Sequence, residues 1–436
     1  PLEGVTLYLD GGSVSASEIE SGMSAEVWYT GGVQETYPAK FSQVVAVSLS
    51  REENAQYDLC GLYLQVLEDL WNEDDGLNGG AEVVSVDLSK APGGLTAGEK
   101  AAVAYIYAQK HGVQGLTMTF DELREEPYWA GSKVSLIDTT GYGGQLFKVI
   151  DLASGREIYS RSYCTLFNEW QTTAEAQSVR KAMPESVVFP YPKQPVRVEI
   201  YARNRKGIME KKFEQEINPA SYFVRKFTPR YDTFEVAYTG NPSTRIDIVL
   251  IPEGYTAEEK SKFEQACRVF AEELLSYSPF KENAARINIR AVWAPSMESG
   301  VTIPGEHVWR NTATKAQYYT FDSERYQMIE DFQGLRDIAA HVPYDHIYVL
   351  SNTQKYGGGG IYNFYGISAA HHPNRTGKIY VHEFGHVLLG LGDEYVGGVS
   401  YNDMYPADVE PWEENLTTLV DFERKAWHGM IEEGTP

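Results

Sequence analysis

Long apolar runs are missing from this sequence. No stretch of about eighteen consecutive apolar residues occurs, so nothing in it reads as a membrane-spanning helix. Cysteine is scarce: Cys60, Cys164 and Cys267 stand about a hundred residues apart. That spacing makes neither a paired metal-ligand motif nor a disulfide framework, although a chain with domain-sized cores needs no disulfides even outside the cell. Positive charge is also short. With 38 Lys and Arg against 61 Asp and Glu, the net charge is -23, which argues against nucleic acid or an anionic membrane surface as the main partner. The first residue is a proline without a methionine or signal-type leader before it, which suggests a processed or trimmed form.

What is present reads as folded protein, since 42% of residues are hydrophobic and 23% charged. A length of 436 residues suits two to four domains, and three blocks can be separated. Residues 1–131 open with the strand-like "VTLYLD" and "SAEVWYT". Two helical candidates follow, "QYDLCGLYLQVLEDLW" (56–71) and "TAGEKAAVAYIYAQKHG", the second with Thr96 and Glu99 as a capping box and Gly112 as a stop. This block predicts an α+β domain of unassigned role. Residues 132–228 are strand-rich. "GGQLFKVIDLASGREIYSRSY" alternates apolar and polar residues on both sides of a Ser-Gly turn, "VRVEIYARNR" repeats the alternation, and a β-sandwich accessory domain is the simplest architecture. "NEWQTTAEA" (168–176) interrupts the pattern and reads as a packed tryptophan beside a capped turn.

Residues 229–436 alternate strands with helices, as an α/β catalytic domain does. "RIDIVLIPEGYT", "INIRAVWAP" and "DHIYVLSN" are buried strands, with "YGGGGIYNFYG" a fourth, weaker one. Thr256 and Glu259 cap a helix whose Phe263, Cys267, Phe270 and Leu274 step along one face, so Cys267 is core. "SERYQMIEDFQGLRDIAAH" predicts a second helix, and "AAHHPNRTG", with His371 and His372, a solvated loop.

"KIYVHEFGHVLLGLGDEY" (378–395) raises a question, because it reads as a buried helix yet carries two histidines and three acidic residues. His382 and His386 are four apart and project from one helix face, where two imidazoles can bind one metal ion. Glu383 can then reach a water on that metal without being a ligand, which is the physical content of H-E-x-x-H. Gly390 and Gly392 end the helix, and the pair Asp393 and Glu394 follows. A catalytic zinc takes a third protein ligand and keeps an open position. Asp393, eleven residues after His382, is favoured for that ligand, with Glu394 as its competitor and Tyr395 as a packing residue. Gly358, Gly359 and Gly360 read either as a plain flexible loop or as a cleft-lining edge strand whose backbone lies close to an extended peptide.

These stretches resemble the zinc metallopeptidase family named for a bacterial immunoglobulin A protease. The resemblance rests on "IDIVLIPEGYT", "VPYDHIYVLSNTQKYGGGGI", "VHEFGHVLLGLGDEY" and "VEPWEENLTT" in the third block. In the second block it rests on "LFKVIDLASGREIYSRSY", "FNEWQTTAEA" and "ESVVFPYPKQPVRVEIYARNR", which resemble the family's N-terminal accessory domain. It implies a zincin-like catalytic domain with Zn2+ on His382, His386 and an acidic residue of "GDEY", and with Glu383 as general base. It also implies a protein or peptide substrate and a secreted or cell-surface bacterial setting. Met404 and Met430 are the candidates for a methionine turn beneath the metal. The rival from another class is a non-catalytic surface module that binds protein on the same scaffold.

Overall fold

The computed structural model describes residues 6–9, 12–13, 24–34, 40–50, 100–110, 116–374, 376–394, 405–425 and 427–430. The chain divides into two compact units, one of Pro1–Leu95 with Ser132–Leu136 and one of Thr96–Gly131 with Ile137–Pro436. In the first, β1 (Thr6–Leu9), β2 (Gly12–Ser13), β3 (Ser24–Gln34) and β4 (Lys40–Ser50) form a sheet in the order β2-β1-β4-β3. The helix expected over 56–71 lies outside the described residues.

The second unit holds three sheets. Strands β5 (Ala101–Lys110) and β6 (Leu116–Glu126) pair with each other, and β9 (Ala182–Pro190) and β12 (Arg225–Lys226) extend them into the order β12-β6-β5-β9. This corrects the helix expected after Thr96. Residues 101–110 are a strand because ladders with 116–126 and 182–190 satisfy their backbone on both edges, and pairing overrides the helix propensity of the alanines. It also differs from the expected boundary at residue 131, since strands from either side of it share this sheet. Strands β7 (Gln145–Asp151) and β8 (Glu157–Tyr163) form the expected hairpin, with Gly155 at φ 71° in the turn. With β10 (Val196–Arg203) and β11 (Met209–Ile217) they make a second antiparallel sheet, β11-β10-β7-β8. Phe147 of β7 meets Phe189 of β9, with ring centroids 6.4 Å apart, so the two sheets touch through their apolar faces.

The third sheet runs β13-β15-β14-β16-β18-β17, from β13 (Asp232–Ala237), β14 (Ile246–Glu253), β15 (Ile287–Trp293), β16 (His346–Ser351), β17 (Gly358–Gly360) and β18 (Tyr365–Ala369). Its four central strands are parallel and its two edges antiparallel. Strands covered on both faces read as continuous apolar runs, and β15, β16 and β18 are buried at every residue. Alternation sends Ile248 and Leu250 to one face, where Phe263, Phe270 and Leu274 of α2 (Lys260–Leu274) and Tyr380, Phe384 and Val387 of α4 (Thr376–Leu389) cover them. Val249 and Ile251 point to the other face, covered by Phe332, Leu335 and Ile338 of α3 (Phe332–Ala339).

That second face has an additional cover. Leu166, Phe167 and Trp170 of the short helix α1 (Leu166–Trp170), which follows β8, belong to the same apolar cluster as Ile329, Phe332 and Ile361. The "NEWQTTAEA" segment thus places its tryptophan, fully buried and donating from Nε1 to Glu175 at 2.6 Å, in the core under the six-stranded sheet.

Two expectations need adjustment here. The helix expected over 323–341 forms only at Phe332–Ala339, because Asp331 caps it through the Gly334 amide while Tyr326 and Met328 bridge to Gly358 and Gln317. His371 is half-buried, and its Nε2 lies 2.9 Å from the hydroxyl of the buried Tyr255. Among the described residues, no helix is long and apolar enough to cross a membrane.

Candidate metal centre

Helix α4 keeps Tyr380, Phe384 and Val387 on the sheet and ends where Gly390 adopts φ 62°. A side chain there would meet Trp412 at 2.6 Å. The reversal turns the chain back along its own helix, and Asn415 holds it there. Asn415 Oδ1 accepts from the Gly392 amide at 2.9 Å and its Nδ2 donates to the Gly392 carbonyl at 2.8 Å.

The consequence is a triangle of atoms that could hold a metal ion. The Nε2 atoms of His382 and His386 are 3.2 Å apart, and Asp393 Oδ1 lies 3.2 Å from the first and 3.3 Å from the second. The structure brings Asp393, and not Glu394, to the two imidazoles. Glu394 faces away and accepts from Asn415 Nδ2 at 3.0 Å. Tyr395 and Met404 lie outside the described residues, and Met430 is 78% exposed.

His386 Nδ1 is bonded to the Leu391 carbonyl oxygen. Its Nδ1–H therefore donates backward, which aims Nε2 at the triangle. Burial opposes an imidazolium at His386, but Asp393, Glu383 and the Leu391 carbonyl outweigh it and raise His386 to about 9. Burial likewise opposes the Asp393 carboxylate, yet its bonds from His382 and His386 hold it well below the usual carboxylate range. A divalent ion bound here would compete with a proton for the same lone pairs.

Glu383 is only 9% exposed and sits beside the triangle, grouped with both histidines within 4.8 Å. Burial pushes its carboxyl up to about 7, against the pull of His386 and His382, with Asp393 and Glu169 adding to the rise. The glycine strand explains how this carboxyl fits. A Cβ at Gly358 would stand 2.7 Å from Glu383 Oε1, and one at Gly360 would stand 2.6 Å from the Glu383 carbonyl oxygen. Strand β17 is the sheet edge, paired antiparallel to β18. On its outward side Gly358 donates to Arg325 O and accepts from Gln327 N, both at 3.2 Å.

Two residues near the centre escaped the sequence reading. Tyr326 lies over Gly359, whose Cβ would be 2.7 Å from Tyr326 Cε2, and its hydroxyl donates to Glu169 of α1. The one signal in the sequence was an acid beside the aromatic anchors Phe167 and Trp170.

Residues 234–436 match the family model described as IgA Peptidase M64, and residues 100–214 match the one described as Peptidase M64 N-terminus. No curated protein matches the chain. The two regions occur in the order that the motifs imply, and the His382–Asp393 segment falls within the first of the two matches. The chain therefore belongs to the M64 family of peptidases.

Proposed function

We propose that this chain is a zinc-dependent endopeptidase in which His382, His386 and Asp393 hold the metal and Glu383 is the general base. The observation that carries this reading is the triangle. Four-coordinate zinc with ligand bonds of about 2.0–2.1 Å has ligand atoms about 3.3 Å apart, and the three edges here are 3.2, 3.2 and 3.3 Å. Two imidazole nitrogens and one carboxylate oxygen are a donor set suited to that ion.

When bound, zinc lowers the pKa of a water and polarises a carbonyl group. The protein's own part is then proton handling and placement. Glu383 takes the water's proton on its carboxylate as the water attacks the scissile carbonyl, and returns it to the leaving amine. A carboxyl that burial already moves toward neutrality suits both transfers. Gly358, Gly359 and Gly360 form the wall along which a substrate backbone runs. Gly358 already pairs with Arg325 and Gln327 and lies against Glu383, so it makes room for the base and offers a substrate no new ladder bond. In this reading the accessory region is a β-sandwich and residues 229–436 a zincin-like catalytic domain. The setting is secreted or on the bacterial surface, and immunoglobulin A is the first substrate to test.

Zinc content and cleavage of immunoglobulin A and of a mixed peptide library are measured together. One zinc per chain with chelator-sensitive cleavage is expected. Glu383→Gln keeps the metal and lowers cleavage at least a hundredfold, Asp393→Ala loses the metal, and Glu394→Ala keeps it. Full cleavage by Glu383→Gln removes this residue from the mechanism. Tight, metal-independent binding of an uncut protein would favour the non-catalytic rival.

A further inference from the structure

We infer that Glu169 is an outer carboxylate of the metal centre, a positioning residue through which the accessory region sets the charge that the metal meets. The inference rests on the metallopeptidase reading above.

Three observations carry it. Glu169 is placed by burial, since its neighbours Phe167 and Trp170 are fully buried in the cluster that includes Ile329, Phe332 and Ile361. The anchor is reinforced on the backbone, where the Cys164 amide donates to Tyr362 O at 3.1 Å and Asn363 Nδ2 donates to Ser162 O at 2.8 Å. From that anchor the carboxyl reaches the catalytic wall. Its Oε2 accepts the Tyr326 hydroxyl, Tyr326 lies against Gly359, and the adjacent Gly358 lies against Glu383 Oε1. Finally, the carboxyl lies within electrostatic range of His386 and Asp393. Burial moves the Glu169 carboxyl up to about 7, with Tyr326 and His386 pulling it down and Asp393 pushing it up.

A glutamine would serve a phenol equally well as acceptor, and would avoid the desolvation cost of a carboxylate. The acid makes physical sense where a cation stands nearby, because outer carboxylates typically change metal affinity by about 10–100-fold.

The test is a zinc titration of the metal-free full chain against a chromophoric chelator, with the cobalt(II) absorption spectrum recorded alongside. Glu169→Gln keeps an acceptor for Tyr326 and removes the charge, so about tenfold weaker zinc binding and a shifted cobalt spectrum are expected. Glu169→Asp restores most of the affinity. Tyr326→Phe, which keeps the charge, weakens it less than Glu169→Gln does. His382→Ala is the reference that abolishes binding. Affinity within twofold of the unsubstituted chain, with an unchanged spectrum, overturns the role of Glu169 and leaves the metal centre standing. A lowered unfolding midpoint of the metal-free Glu169→Gln chain also overturns it, by showing a purely structural acid. Absence of zinc uptake by the unsubstituted chain overturns both readings.

Discussion

A methyl group at position 360 would stand 2.6 Å from the Glu383 carbonyl oxygen and 3.0 Å from His386 Cβ. Neither neighbour is the loose end of a side chain, so Gly360→Ala must push helix α4 away from strand β17. Overpacking of this kind costs about 1–3 kcal/mol, and here it also displaces His386. The expected outcome is a lower urea midpoint together with weaker zinc retention. A variant with both properties unchanged would show that strand and helix are not in the contact described. The residues that were legible in sequence were those whose partners are local. His382 and His386 are one helical turn apart, and Asp393 follows across a glycine reversal that can be counted along the chain. Glu169 was not legible, because its partner Tyr326 is 157 residues away and no periodic pattern links them.

Elements were legible where local chemistry and burial agree. The 3-10 turn Ala257–Glu259 that leads into α2 begins at a capping box, with the Thr256 and Glu259 bonds both present, and α2 shows the face that Phe263 and Phe270 promised. Residues 101–110 and 323–331 were misread because strand pairing decided their conformation, and pairing partners cannot be read from one segment alone. Strand β16 carries a consequence for pH. His346 is buried beneath α4, edge-on to Phe384 at 5.9 Å, and burial with help from Arg336 lowers it to about 4. Between about pH 6.5 and 4 the unfolded chain binds a proton that the native chain refuses, so this group's contribution falls as pH falls through that window. Over some 2.5 units that amounts to about 3 kcal/mol. Buried acids raised to about 7, such as Glu126, Glu185 and Asp345, act in the opposite direction, but they are common to variant and parent. Urea unfolding of the metal-free His346→Gln chain from pH 7 to 4.5 should therefore gain on the unsubstituted protein as the solution is acidified. A constant difference across that range would count against the burial-driven shift.

At the scale of the whole molecule, the two family regions share one core. Leu166, Phe167, Trp170 and Met183 lie in the same cluster as Val249, Ile329 and Phe332. A chain limited to residues 234–436 would therefore expose to water the part of that cluster which Leu166, Phe167, Trp170 and Met183 cover. Loss of a buried tryptophan alone costs about 3–5 kcal/mol, so this fragment is expected to aggregate or to unfold at much lower urea than the full chain. A soluble fragment with cooperative unfolding and undiminished zinc affinity would show that the shared cluster is dispensable. The junction also bears on descent. A recombined gene carrying either region without the other would encode a protein with a raw hydrophobic wound, so the two should pass between genomes as a single heritable block.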